Sequence, residues 1–217
     1  MSDPPEQEIP DKNLFMVCEQ LNRDALSALS DVYHIRNCRK DELDIWKDMP
    51  FDDPIEPNKY RQYMTDFFSA VYTPKGDLFY KKCLFVCDER DRPIGTAFIW
   101  KAYDEFNTVH WLKVLKEHEG KGIGRALLSI IMEELQEGDY PVYLHTQPGS
   151  FRAVKLYSDF GFKLLSDPII GARSNDLEEC LPILEKHMKK ANFDRLQIVS
   201  APKDFLKKMK TEKENHF

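Results

Sequence analysis

Residues 119–128 read EGKGIGRALL, with glycines alternating at 120, 122 and 124 and an apolar run behind them. Glycine lets backbone N–H groups converge with no Cβ in the way, and a helix starting here would turn its positive end toward an anion. Two phosphate-binding patterns fail at this point. A P-loop needs Ser or Thr after Gly-Lys, and Gly120-Lys121 is followed by Gly122. A dinucleotide fingerprint needs a third glycine where Arg125 stands. What remains is a strand, a tight turn and a helix start. FNTVHWLKVL (106–115) before the turn reads as a strand, and behind it Ile123, Leu127, Ile130 and Ile131 recur at helical spacing until Gly138.

On either side the same kinds of signal continue. KCLFVCDE (82–89), the turn DRP and IGTAFIWK (94–101) predict a hairpin. YPVYLHT (140–146) reads as a strand, FRAVKLYSDF (151–160) as a helix with Ala153, Leu156, Tyr157 and Phe160 on one face, and GFKLL (161–165) as another strand. A helix near 176–190, a last strand LQIVS (196–200) and a basic helix fading into a tail complete the C-terminal part. Upstream, 14–22 is a weak strand, 24–29 a helical turn, 32–38 a strand and 41–49 a helix, and beyond prolines 50, 54 and 57 an amphipathic helix spans 58–72. This order predicts an α+β fold: a mixed, mostly antiparallel central sheet flanked by helices, with an extra helix before the last strand, and not a doubly wound fold. The expected boundaries are an arm with a short strand and helix at 1–30, a main domain at 31–205 and a basic tail at 206–217.

Bulk properties narrow the functional classes. With 42% apolar residues, 217 residues can build one large domain, and 31% charged residues supply a solvated surface. No run of about 18 apolar residues is present and the N-terminus lacks an apolar stretch behind a basic start, so a cytoplasmic protein with no membrane association is expected. A net charge of −6 argues against nucleic acid as a partner. The five cysteines are odd in number, widely spread and without zinc-site spacing, which predicts reduced thiols and no metal. DELDIWKDMPFDDPIE (41–56) concentrates seven carboxylates against one lysine.

VLKEHEGKGIGRALL resembles the pyrophosphate-binding motif of the GNAT (Gcn5-related N-acetyltransferase) superfamily, in which R/Q-x-x-G-x-G/A follows a strand and opens a helix. A second element of that superfamily follows: YLHTQPGSFRAVKLYSDFGFKLL resembles its strand, then N-x-x-A-x-x-L-Y, then G-F, with Ala153, Leu156, Tyr157, Gly161 and Phe162 matching. The likeness covers roughly residues 82–165. Two positions depart from the pattern: Glu119 replaces the usual Arg or Gln, and Ser150 replaces Asn.

The resemblance implies an acetyl-CoA-dependent N-acetyltransferase that moves an acetyl group to a primary amine by direct attack. Acetyl-CoA would be held by Glu119, through its backbone, with Gly120, Lys121, Gly122, Ile123, Gly124, Arg125 and Ser150. The main chain of Leu112, Lys113 and Val114 would pair with the pantetheine arm, where an N–H can polarise the acyl carbonyl. Tyr157 matches the tyrosine that protonates the leaving thiolate. His110, which shares a face with Leu112 by strand alternation, and His145 are candidates for the base beside ordered water. Asp48, Asp52, Asp53 and Glu56, in the segment that borders the acceptor site in the superfamily, would favour a small cationic amine. The segment before LQIVS is long enough to cap the acceptor cleft or to build a homodimer face. The alternative reading is a non-catalytic acyl-CoA-binding or regulatory module of the same fold.

Overall fold

The computed structural model describes residues 9–51, 57–212 and 216. Along the chain, β1 (Leu14–Cys18) is five apolar residues in a row, all buried, as befits a strand covered on both faces. β2 (His34–Asn37) precedes α1 (Leu43–Asp48) and α2 (Pro57–Phe67), and α2 passes into a π-helical turn at Phe68–Tyr72. α3 (Leu78–Lys82) leads into β3 (Leu84–Cys87), β4 (Pro93–Ala102) and β5 (Phe106–Val114). α4 (Ile123–Glu133), β6 (Val142–Thr146), α5 (Phe151–Asp159) and β7 (Lys163–Leu165) follow. A short hairpin, β8 (Ile169–Ile170) and β9 (Arg173–Ser174), comes before α6 (Leu177–His187), α7 (Lys190–Phe193), β10 (Ile198–Val199) and α8 (Lys203–Met209).

The chain divides into two compact units, one holding the N-terminal part through Arg23 with Pro141 onward, the other Asp24–Tyr140 with His216. In the first, β6 and β7 flank β1 in antiparallel register, and β10 pairs parallel with β7. Parallel pairing requires a crossover, and α6 and α7 lie in the chain between the two strands. Phe205 of α8 stacks on Tyr143 of β6 with ring centroids 3.9 Å apart, which anchors the C-terminal helix on this sheet.

The second unit is an antiparallel meander, β2-β3-β4-β5. Its core is aromatic: Trp46, Tyr72, Phe79, Phe85, Phe98 and Trp100 are all buried. Trp46 is closed off completely, with edge-to-face contacts to Tyr72 at 5.7 Å and Phe79 at 4.8 Å. α4 packs on β4 and β5 with Ile123, Leu127, Leu128 and Ile131 buried. This is the periodic face that the sequence predicts.

The architecture is the expected mixed α+β class. The predicted helix at 58–72 divides into α2 and the π turn, and DALSAL holds only a 3₁₀ turn at Arg23–Ala25. α3 and the β8–β9 hairpin were not expected: five and two residues are too short to display a period. All five cysteines are free and buried. No helix among the described residues is long and apolar enough to cross a membrane.

Candidate functional site

The glycine turn lies in the second unit. After β5 a 3₁₀ turn covers Lys116–His118 and Glu119 continues in extended conformation. Gly120 then stands at φ 75° and Gly122 at φ 81°, both in the left-handed region where a Cβ is penalised. A Cβ built on either would meet nothing within 4 Å, so open space lies before the turn. Gly122 is the residue before α4, and Ala126 N donates back to its carbonyl at 3.0 Å. The amides ahead of Ala126 begin the helix without an intrahelical acceptor and carry its positive end. Glu119 and Lys121 are exposed, whereas Arg125 donates to the Ala25 carbonyl at 3.1 Å and ties α4 to the 3₁₀ turn at Arg23–Ala25. The sequence offered Arg125 as charge for a ligand; part of its donor capacity serves the fold.

The strand before the turn is bulged. Thr96 pairs with Lys113 and Phe98 with His110, so Ala97 faces the two residues Trp111 and Leu112. Trp111 has φ 52°, a conformation costing an L-residue about 1–2 kcal/mol. A bulge of this kind leaves one residue out of the ladder, just where the sequence expects the main chain of Leu112, Lys113 and Val114 to receive a ligand. It also breaks the alternation used to pair His110 with Leu112. His110 Nδ1 lies 2.5 Å from the Tyr72 hydroxyl, and Trp111 Nε1 donates to that same oxygen at 3.0 Å.

Both candidate histidines are held neutral. Burial brings His110 down to about 3, with its Nε2 buried and unpartnered. Burial, then the Arg173 charge, brings His145 to about 3 as well. In the first unit His145 Nε2 donates to Asn13 Oδ1 at 2.9 Å, and its ring lies 5.0 Å from that of Phe15. Asn13 N in turn donates to Asp176 Oδ2 at 2.9 Å, so His145 belongs to a chain of contacts that fastens β1 and α6.

Tyr157 sits on α5 in the first unit, 6% exposed, its ring 5.8 Å from Phe162. Burial raises its pKa, so the phenol keeps its proton and can act as a donor. Its hydroxyl has no hydrogen-bond partner among the described residues. Ser150 stands directly before α5, half-buried, with its N–H donating to the Gln147 carbonyl at 3.0 Å.

Much of the acidic run is spent on local pairs. Glu42 takes both terminal nitrogens of Arg36 at 2.7 Å, Asp44 pairs with Lys47 at 3.9 Å and Asp48 pairs with Arg61. Asp52, Asp53 and Glu56 lie outside the described residues. His34, Cys87 and Asp91 bring ligand atoms within 4.8 Å of one another. Asp91, however, already accepts from Arg36 Nε at 2.7 Å and Arg39 at 2.9 Å, and these guanidinium charges oppose a cation there. A polar cavity of about 480 Å³ in the first unit, lined by Asn22, Lys155, Ser158, Arg195 and Gln197 among others, contains none of the predicted site residues. Sequence reading missed Tyr72 and the bulge. Tyr72 looked like one more aromatic of an amphipathic helix, and nothing in NTVHWLKV marks a positive φ.

A model of the acetyltransferase (GNAT) family matches residues 44–162. Among solved structures the chain is similar to a Drosophila protein (17% identity, 72% of this chain and 49% of that chain, TM-score 0.50). It is similar to a functionally unknown conserved protein from Staphylococcus epidermidis (16% identity, 70% and 57% coverage, TM-score 0.50). A tandem GNAT protein from the clavulanic acid biosynthesis pathway is similar at 11% identity, with 72% and 50% coverage and a TM-score of 0.51. At these identities the likeness is one of fold. The chain spans about half the length of these three structures. Comparison with curated proteins gives no match.

Proposed function

Because the chain belongs to the acetyltransferase (GNAT) family, whose model covers more than half of it, we propose that it transfers an acetyl group from acetyl-CoA to a primary amine. The observation that carries this reading is the turn of Gly120 and Gly122: two left-handed glycines with open space before them, feeding the positive start of α4. Such a turn suits a pyrophosphate, held by main-chain N–H groups with the charge of Lys121 nearby. Glu119 contributes through its backbone. Ser150 is the proposed hydroxyl donor, on its motif position.

Bound acetyl-CoA supplies a thioester, a carbonyl activated toward an amine. The roles assigned to this chain's own groups follow from that. The backbone of Leu112, Lys113 and Val114, next to the bulge, pairs with the ligand's arm and offers an N–H to the acyl oxygen, where negative charge develops. Tyr157, protonated at neutral pH, donates to the departing sulfur. An imidazole brought to about 3 is a weak base, so His110 and His145 serve poorly as they stand and water carries the amine proton to solvent. A cationic acceptor is the proposed substrate class, on the strength of Asp52, Asp53 and Glu56 in the sequence. KM for such an amine should rise with salt, and a salt-independent KM would remove that preference.

The test is amine-dependent release of CoA from acetyl-CoA by the purified protein. Release that depends on the amine supports the enzyme. Binding of acetyl-CoA with no release in the presence of any amine supports the non-catalytic reading instead.

A further inference from the structure

The bulge in β5 is fastened by one atom. In a regular strand His110 and Trp111 would point to opposite faces of the sheet. Here both reach the hydroxyl of Tyr72, because the left-handed φ of 52° at Trp111 turns its indole onto the face His110 occupies. The hydroxyl accepts from Trp111 Nε1 at 3.0 Å and lies 2.5 Å from His110 Nδ1; assigning its own proton to that nitrogen uses its donor and one of its lone pairs. Only a neutral imidazole can accept at Nδ1, and the buried setting of His110 keeps it so. Tyr72 itself is fully buried at the end of the π turn, a form of helix found often at functional sites. Its ring is wedged among Trp46, Phe79, Phe98 and Trp100 at centroid distances of 4.8–5.7 Å. A hydroxyl carried on so confined a ring is a fixed point, and two consecutive residues of β5 are referred to it.

We infer that Tyr72 is a positioning residue for acyl transfer: its hydroxyl holds Trp111 and His110 in the bulged conformation that presents the backbone of residues 112–114 to the acyl group. This rests on the reading given under Proposed function. Tyr72 touches no reacting atom and acts through the strand. It also gives His110 a role separate from that of a base, as the acceptor that completes the clamp.

The experiment is Tyr72→Phe, which removes one oxygen and keeps the ring. It is read by amide hydrogen exchange and by steady-state kinetics. Exchange at residues 111–114 should quicken at least tenfold while α4 keeps its protection. kcat should fall about 10- to 100-fold and the acetyl-CoA Kd should rise by clearly less than kcat falls, since the glycine turn is untouched while the backbone that pairs with the ligand's arm loosens. Trp111→Phe, which removes the indole donor together with part of its packing on Trp46 and Phe67, should move both readouts the same way and guards against a Tyr72 variant that fails to fold. Unchanged exchange at 111–114, quickening spread evenly over the unit, or an unchanged kcat would each overturn the clamp as a positioning device. A wild-type protein that releases no CoA with any amine overturns the acyl-transfer reading and the catalytic purpose of the clamp. The exchange result then still decides whether Tyr72 holds the bulge.

Discussion

Two glycine-to-alanine substitutions that add the same methyl group to open space should change stability in opposite directions. Neither Gly122 nor Gly138 has any atom within 4 Å of where a Cβ would stand, so packing contributes nothing at either site. The backbone separates them. Gly122 holds φ 81° at the start of α4, whereas Gly138 lies outside the left-handed region, within the 3₁₀ turn Glu137–Asp139. At Gly122 alanine meets the left-handed penalty of about 1–2 kcal/mol. At Gly138 alanine narrows the unfolded ensemble and gains about 0.4–1 kcal/mol. The unfolded-state gain is common to both substitutions, so the two variants should differ by the left-handed penalty, about 1–2 kcal/mol. With a urea slope of about 2 kcal/mol/M, their unfolding midpoints should lie about 0.5–1 M apart, Gly122→Ala below wild type and Gly138→Ala at or above it. Acetyl-CoA binding should weaken only for Gly122→Ala. Equal midpoints, or a lower midpoint for Gly138→Ala, would refute the argument that the turn is held by its left-handed backbone.

Other outcomes follow from the same geometry. Tyr157→Phe should lower turnover while leaving acetyl-CoA affinity nearly unchanged in a titration; unaltered turnover removes Tyr157 from the mechanism. His110 and His145 both have folded pKa values lowered to about 3 against an unfolded value near 6.5, so their stabilisation is present above pH 6.5 and is lost as pH falls toward 3. Between pH 7 and 5 each should cost about 2 kcal/mol of unfolding free energy in denaturant titrations, and a pH-independent midpoint over that window would contradict their burial. For the same reason kcat/KM should show no histidine inflection between about pH 5.5 and 7.5. Glu42→Ala strips Arg36 of its two-pronged partner and the Arg39 amide of an acceptor, and should lower stability by about 2–3 kcal/mol in the same titrations.

The strands and helices around the glycine turn were legible because each carries a period long enough to read. α4 repeats its apolar face over three turns, whereas β1, apolar throughout, shows no period and reads only as a weak strand. The turn itself was legible since only glycine occupies left-handed positions cheaply, and Gly120 and Gly122 do occupy them. The bulge was not, because a left-handed tryptophan is paid for by tertiary contacts from Tyr72, 39 residues away in sequence, and leaves no local trace. Nor was the state of the histidines. An unperturbed pKa near 6.5 recommends any histidine as a base, and only the packing around His110 and the Asn13 contact of His145 reveal their neutral, structural settings. Arg125 shows the same limit: composition offers its charge to a ligand, while the fold turns one donor toward the Ala25 carbonyl.

The most direct measurement on the central claim is calorimetric titration of the protein with acetyl-CoA, beside Gly122→Trp, which places an indole in the open space before the turn. The account predicts saturable binding by the wild type and none by the variant, with both proteins unfolding cooperatively. Absence of binding by the wild type, or equal binding by the two, would contradict a pyrophosphate site at Gly120–Gly122.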